Sequence, residues 1–226
     1  MESVIDRMEP SGSNKVILST AYLAPVQYYT KLHHYDEVWI ETGEHFLKQS
    51  FRNRCTILTA NGPQSLSVPV AEGSNSKKII RDVLISYDHP WQKLHWKALL
   101  SGYNNAPFFE YYSDSLESFY QEKKWKFLED FNLAIQEVVM NELNVKCSIF
   151  LSEQFLKVEE LPSGMDDFRY SIHPKEQRRK EDAHFHPPVY MQVFQEKFGF
   201  TPNLSIVDLL FNEGPMARDV LISSFI

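Results

Sequence analysis

The sequence predicts an α/β protein with a mostly parallel central sheet, a β-hairpin extension and a helical lobe. Three observations carry this. Between residues 15 and 41 an apolar run, an amphipathic stretch and a second apolar run follow in the βαβ order of a parallel sheet. An Asn61-Gly62 pair lies between β-rich arms, the strongest short hairpin signal. From about residue 89 to 143 apolar residues recur at helical spacing.

The elements follow in order. Residues 1–14, polar and ending in Ser-Gly-Ser-Asn, are expected to be a flexible lead, with residues 15–226 a single α/β domain. "KVILST" (15–20) reads as a buried strand. In "AYLAPVQYYTKLHHY", Pro25 suits a first helical turn, where a missing N–H costs nothing. "EVWIE" (37–41) reads as a second strand, "CTILTANGPQSLSVPV" (55–70) as the hairpin, "EGSNSKK" (72–78) as a loop and "IIRDVLIS" (79–86) as another strand. The helical lobe opens with "HPWQKLHWKALLSGY" (89–103), where Trp91, Leu94, Ala98 and Leu99 fall near helical spacing. Residues 113–143 form the clearest helical region: Asp114 and Glu117 make a capping-box pattern, and Leu128, Phe131, Ile135, Val138 and Leu143 an apolar stripe. "CSIFLS" (147–152) reads as a strand, and residues 157–188 are polar and turn-rich, with a charge run at 174–182 that suits a solvated loop or short surface helix. Ser205 is the expected N-cap of a helix with Asp208 as its box partner; Gly214-Pro215 stops it, and a short helix closes the chain.

Composition excludes several classes. A chain of 226 residues with 43% apolar residues can bury a full core, and 14% aromatics supply large buried areas and flat binding faces. A net charge of −7 leaves no excess basic face to displace counterions, which argues against a nucleic-acid partner. Cys55 and Cys147, the two cysteines, cannot build a disulfide framework or a four-thiolate zinc site, so a reducing, cytoplasmic setting fits. The N-terminus lacks the basic flank and apolar core of a secretory signal, and no apolar run approaches a membrane span. Gly-rich phosphate loops, a Gly-x-Ser-x-Gly elbow and a His-Glu-x-x-His motif are absent. With 8 glycines, any phosphate would be held by side chains. The cofactor is unknown from sequence, and no metal site is assigned: His184 and His186 share a strand face, but a metal needs a further firm ligand and only Asp182 is near.

The residues that point to chemistry are cations in an acidic chain. Arg52 and Arg54 flank Asn53 at the entry to the hairpin; on an extended segment both arginines project to one face. A guanidinium fork matches phosphate or carboxylate in two bonds, and Lys48, four residues earlier, joins the same side if residues 44–52 are helical. The competing reading pairs the arginines with Asp36, Glu41 or Glu44; Asn53 between them is a further candidate substrate contact, with a backbone cap as its plainer role. In "DHPWQKLHW", His95 is an acid–base candidate and Trp91 a stacking face, with Tyr103 beyond; a packed histidine is the plainer alternative. In "DFRYSIHPK", i, i+2 spacing on a strand would place Arg169, Ser171 and His173 on one face with Lys175 beyond, completing the pocket or forming an exposed row. Asp208 reads as a helix cap. The site is expected at the carboxyl ends of the strands, where open α/β sheets bind ligands.

Three long segments, "TAYLAPVQYYTKL", "KQSFRNRCTI…NGPQSLSVPV" and "PWQKLHWKALLSGYNNAPFF", resemble the WbqC-like protein family. "DFRYSIHPK", "YMQVFQEKFGF" and "PNLSIVDLLFNEGP" resemble its Bacteroidetes-type branch. The resemblance implies a place in O-antigen-type surface-polysaccharide biosynthesis, with aminoacyl (glycine) transfer onto sugars suggested for some members. Many relatives read His-Gln-Pro where this chain has "STAYLAP", and the loss of that histidine weakens a catalytic reading of positions 19–25. Two functions are therefore expected. One is a transferase acting on an anionic small molecule, a nucleotide sugar or phosphorylated sugar, held by Lys48, Arg52 and Arg54 with His95 or His173 as acid–base group. The other is a non-catalytic binding or scaffolding module of the same pathway.

Overall fold

The structure, a computed structural model, describes residues 14–72 and 78–226. Most of the expected lead and most of the 72–78 loop lie outside the described residues.

Strand β1 (Lys15–Ser19), helix α1 (Val26–His34) and strand β2 (Glu37–Glu41) form the expected βαβ unit. The two strands pair in parallel with Ile17 opposite Trp39 and Leu18 opposite Ile40. Strand β5 (Ser148–Leu151) adds beside β2, and strand β6 (Met165–Asp167) beside β1. The four-stranded sheet thus has the order β5-β2-β1-β6, all parallel. It grows in one direction from β1 to β5 and then returns to the other side of β1. Val16, Leu18, Val38 and Ile40 are fully buried in one core with Val26 and Leu32 of α1. Each such aliphatic side chain contributes about 1.5–3 kcal/mol on burial.

The hairpin forms from β3 (Arg54–Thr59) and β4 (Gly62–Ser67). Thr59 pairs with Gly62, so the loop is Ala60-Asn61 and the glycine closes the ladder at φ +100°. Asn53 anchors the hairpin base, its Nδ2 donating to Val68 O at 2.9 Å. The helical layer is α2 (Trp91–Tyr103), α3 (Phe109–Gln121) and α4 (Leu128–Glu142). Three short helices follow: α5 (Gln195–Phe198), α6 (Ile206–Glu213) and α7 (Ala217–Ser223).

Four local expectations are corrected. Residues 79–86 do not form a strand. Ile80–Asp82 is a single 3-10 turn, and Ile79, Leu84 and Ile85 each make an isolated bridge to a different segment. The 113–143 region is two helices, and Asp114 lies inside α3 rather than capping it. Residues 122–127 are pulled straight by backbone bonds to 83–85, with Leu128 donating to Val83 O and Ile85 to Lys126 O. The strand expected through 167–175 ends at Asp167, because Arg169 N–H and Nε both donate to Asp167 Oδ1 and fold the chain back. Ser205 does not cap α6 through its side chain: its Oγ donates to Leu23 O at 2.8 Å. Asp208 is no box partner either, because three buried donors claim its carboxylate.

Candidate functional site

Strand order reverses between β1 and β6, and in open α/β sheets the crevice beyond the carboxyl ends of the strands at such a reversal is where ligands bind. Here β1 ends on Ser19, β2 on Glu41 and β6 on Asp167, so each strand delivers a hydroxyl or carboxylate to this crevice. Two guanidinium groups answer them. Arg169 makes a two-bond contact with Asp167 (Nε–Oδ1 3.0 Å, Nη2–Oδ2 2.7 Å) and reaches Glu41 Oε2 through Nη1 at 2.9 Å. Burial alone would lower its pKa, but the bonds to Asp167 and then Glu41 raise it. Arg52 makes the same kind of contact with Glu44 (Nε–Oε1 2.7 Å, with Nη2 on Oε2), and Nη2 also donates to Ser19 Oγ at 2.7 Å. Ser19 Oγ in turn donates to Arg169 O at 2.9 Å and joins the two halves. Phe155 covers Arg169 and Tyr170 covers Arg52, at 5.2 and 5.5 Å from ring centroid to guanidinium carbon. The space between Ser19, Thr20, Arg52, Phe168 and Arg169 is about 10 Å³, room for about one water.

The expected Arg52–Arg54 clamp is therefore not formed. Residues 48–52 are turns rather than helix, and Arg52 precedes β3. Glu44 takes both arms of the Arg52 fork, the pairing weighed against the clamp from sequence. Arg54 opens β3 opposite Ser67, half-buried, with its Nε making no hydrogen bond among the described residues. Lys48 stays exposed on the turn whose Gln49 accepts a bond from Lys175 Nζ.

His173 follows Ile172 of the crevice lining and lies near enough for the Arg52 charge to act on its ring. Its ring is buried, and its Nδ1 accepts the Lys175 N–H at 3.0 Å. That bond assigns the proton of the neutral ring to Nε2, which is buried without a hydrogen-bond partner among the described residues. Its pKa is lowered, first by burial and further by the positive charges of Arg178, Arg52 and Lys175. Gln49 stands at φ +59°, strained for a residue with a Cβ, on the turn that meets Lys175.

The remaining candidates lie in other clusters. His95 is buried in the helical layer, where its Nδ1 meets Tyr22 OH at 3.0 Å and Tyr22 OH meets Tyr120 OH at 2.8 Å. Burial pushes its pKa down to about 4. Trp91 packs edge-on against it at 5.1 Å and is buried. Tyr103 accepts the Leu58 N–H at 3.1 Å and donates to Asp208 Oδ1 at 2.9 Å. Tyr190 (2.6 Å) and Gln192 (2.8 Å) donate to Asp208 Oδ2. Burial raises the Asp208 pKa against these three donors. His184 Nδ1 bonds the Ile226 carbonyl at 2.7 Å, and no group of three metal-binding side chains occurs among the described residues.

Of the predicted residues the crevice thus gathers Arg52 and Arg169, with His173 beside it; Lys175 bonds the turn at Gln49, next to exposed Lys48. Sequence reasoning missed Ser19, Asp167 and Tyr170 as members, and also Arg178. The available signal was that predicted strands end on hydroxyl or acid.

The family model described as the WbqC-like protein family matches residues 20–220. The chain belongs to this family. A curated protein of Mycobacterium tuberculosis (strain ATCC 25618 / H37Rv), the uncharacterized protein Rv1507c, is 27% identical to this WbqC-like chain over 222 residues, spanning 91% of this chain and 96% of its own length. No solved structure matches. The stretch of the WbqC-like match includes every member of the crevice except Ser19, which lies one residue before it.

Proposed function

We propose that this WbqC-like chain is a group-transfer enzyme whose substrate carries a phosphate or carboxylate, a nucleotide sugar or phosphorylated sugar of surface-polysaccharide biosynthesis. The observation that carries the reading is His173: a buried neutral imidazole with a free Nε2–H, at the reversal of a parallel sheet, with Arg178, Arg52 and Lys175 bearing on it. Arg52 is already neutralised, so the substrate's anion would meet Lys48, Lys175 and Arg178 at the rim. The Lys175 N–H holds His173 Nδ1 as acceptor. His173 then serves as a hydrogen-bond donor to the oxygen that gains charge in the transition state, and not as a proton acceptor. Aminoacyl transfer, which the family resemblance suggests, develops such an oxyanion.

Inorganic phosphate and a UDP-sugar are the probes. Both are expected to raise the melting temperature and to raise the His173 pKa seen by NMR, since a bound anion offsets the three cations. Lys175→Ala with Arg178→Ala should weaken binding about tenfold or more, the loss of one or two charge-assisted bonds. His173→Gln should keep binding and lose turnover. No thermal shift with either probe, or a shift that the double variant leaves intact, overturns the assignment.

The close filling of the crevice favours a second reading, a non-catalytic binding or scaffolding module. Binding at the rim with no turnover of any aminoacyl or sugar donor, and no effect of His173→Gln, decides for it.

A further inference from the structure

Among the described residues strand β5 is an edge of the sheet, and its four residues carry no proline and no charge, so shortness is the one protection it has. The row of backbone groups on such an edge is a template for another strand. The Ser148 and Ser152 amides donate to Asp36 O and Ile40 O, so backbone alternation turns the N–H and C=O groups of Ile149 and Leu151 away from the sheet. Phe150 and Leu151 are 40% and 48% exposed. Beside the strand runs an open groove of about 860 Å³ between Ile149 and Leu151 on one side and Leu133, Gln136 and Met140 of α4 on the other.

The strand is also its own complement. Ser148-Ile149-Phe150-Leu151-Ser152 reads almost the same in both directions about Phe150. An antiparallel partner can bond only through outward groups, which pairs odd-numbered residues with odd-numbered ones. The register centred on Phe150 meets this condition. Ile149 then exchanges both bonds with Leu151 of a second copy, Ser148 faces Ser152, and Phe150 faces Phe150 on the two-fold axis. Phe150 already stacks on Trp39 at 5.3 Å, so the pairing continues a row of rings across the axis. The ends agree in charge: exposed Lys146 of each copy meets the Glu153-Gln154 end of the other.

We infer that β5 is the interface of a symmetric homodimer, in which two four-stranded sheets join antiparallel into one of eight strands.

Sedimentation or light scattering at micromolar concentration is expected to give twice the mass of one chain. Phe150→Lys, at a partly exposed position, should give a monomer whose circular dichroism and melting temperature stay close to wild type measured below the dissociation constant. In a Cys147→Ser background, Phe150→Cys should form an intermolecular disulfide on mild oxidation. Directly opposed residues of a non-hydrogen-bonded pair lie about 4.5 Å apart at Cα, within disulfide range. A wild-type monomer at all accessible concentrations, a dimer that persists in Phe150→Lys, or a dimer in which Phe150→Cys does not cross-link overturns the inference. A monomer that instead captures a synthetic extended peptide along β5 also overturns it.

Discussion

A carboxyl group that keeps its proton at neutral pH sits at the first turn of α4. Glu129 is buried, its Oε1 has no partner among the described residues, and burial, followed by the charge of Asp130, raises its pKa to about 8. Glu44 and Asp82 push in the same direction and Arg81 opposes them. Between 4.5 and about 8 the folded chain therefore holds a proton that the unfolded chain releases. Stability should fall as pH rises through that window, and the effect should be absent below it. Glu129→Gln should remove the slope, which melting temperatures of the two proteins across pH 5–9 would show. Flat, parallel curves would refute a protonated Glu129. Arg169 poses the opposite problem, a permanent charge held by Asp167 and Glu41. Arg169→Met should cost about 3 kcal/mol in urea unfolding, because buried Glu41 and half-buried Asp167 are left without a counter-charge. Adding Glu41→Gln and Asp167→Asn should recover part of the loss. These residues were legible as charged groups, but their partners were not. Glu41 and Arg169 stand 128 positions apart, and only the fold decides that they meet.

At the scale of elements, close approach matters as much as pattern. Helix α2 rests on strand β3 at Gly102, where an added Cβ would lie 2.8 Å from Leu58 O. Gly102→Val is expected to destabilise by about 1–3 kcal/mol through overpacking, while valine at exposed Lys97 on the same helix should cost under about 1 kcal/mol. Equal losses at both positions would mean that helix propensity, not packing, governs α2. The βαβ unit, the hairpin, α2, β5 and α6 were readable because each carries its own periodicity or turn signal within a few residues. The segments misread, 79–86 and 122–127, are those that bond to one another. Apolar residues such as Ile80, Val83 and Ile85 suggest a strand, but the segment meets the rest of the chain by single bridges at Ile79, Leu84 and Ile85, each to a different neighbour. The break between α3 and α4 is equally non-local, since the Lys126 carbonyl and the amide of Leu128, the first residue of α4, bond Ile85 and Val83. The misplaced strand at 167–175 shows a side chain overruling alternation, because Arg169 turns back on Asp167.

In the whole molecule the fold class was legible, whereas the charge balance at the strand ends was not. Cationic spacing suggested a pocket of reversed sign; the tertiary structure brought Glu41, Glu44 and Asp167 to the same place as the two guanidinium groups. The sheet combines a local pairing with a distant one: Lys15 pairs with Glu37 on one side and with Met165 on the other. Contacts that close short loops tend to form early. Val38→Ala, in the local unit, should slow folding, whereas Met165→Ala should mainly speed unfolding, and denaturant-dependent kinetics of the two variants would separate these. The reverse assignment would mean that β6 nucleates the sheet. The same topology has a consequence on the ribosome. The side of β1 that receives β6 has no partner until residue 165 has been made and has cleared the exit tunnel. At about 5–20 residues per second, that interval is on the order of ten seconds. Through it a nascent chain presents the bare backbone groups of Lys15 and Ile17, which a chaperone, or a neighbouring nascent chain on the same message, would meet first.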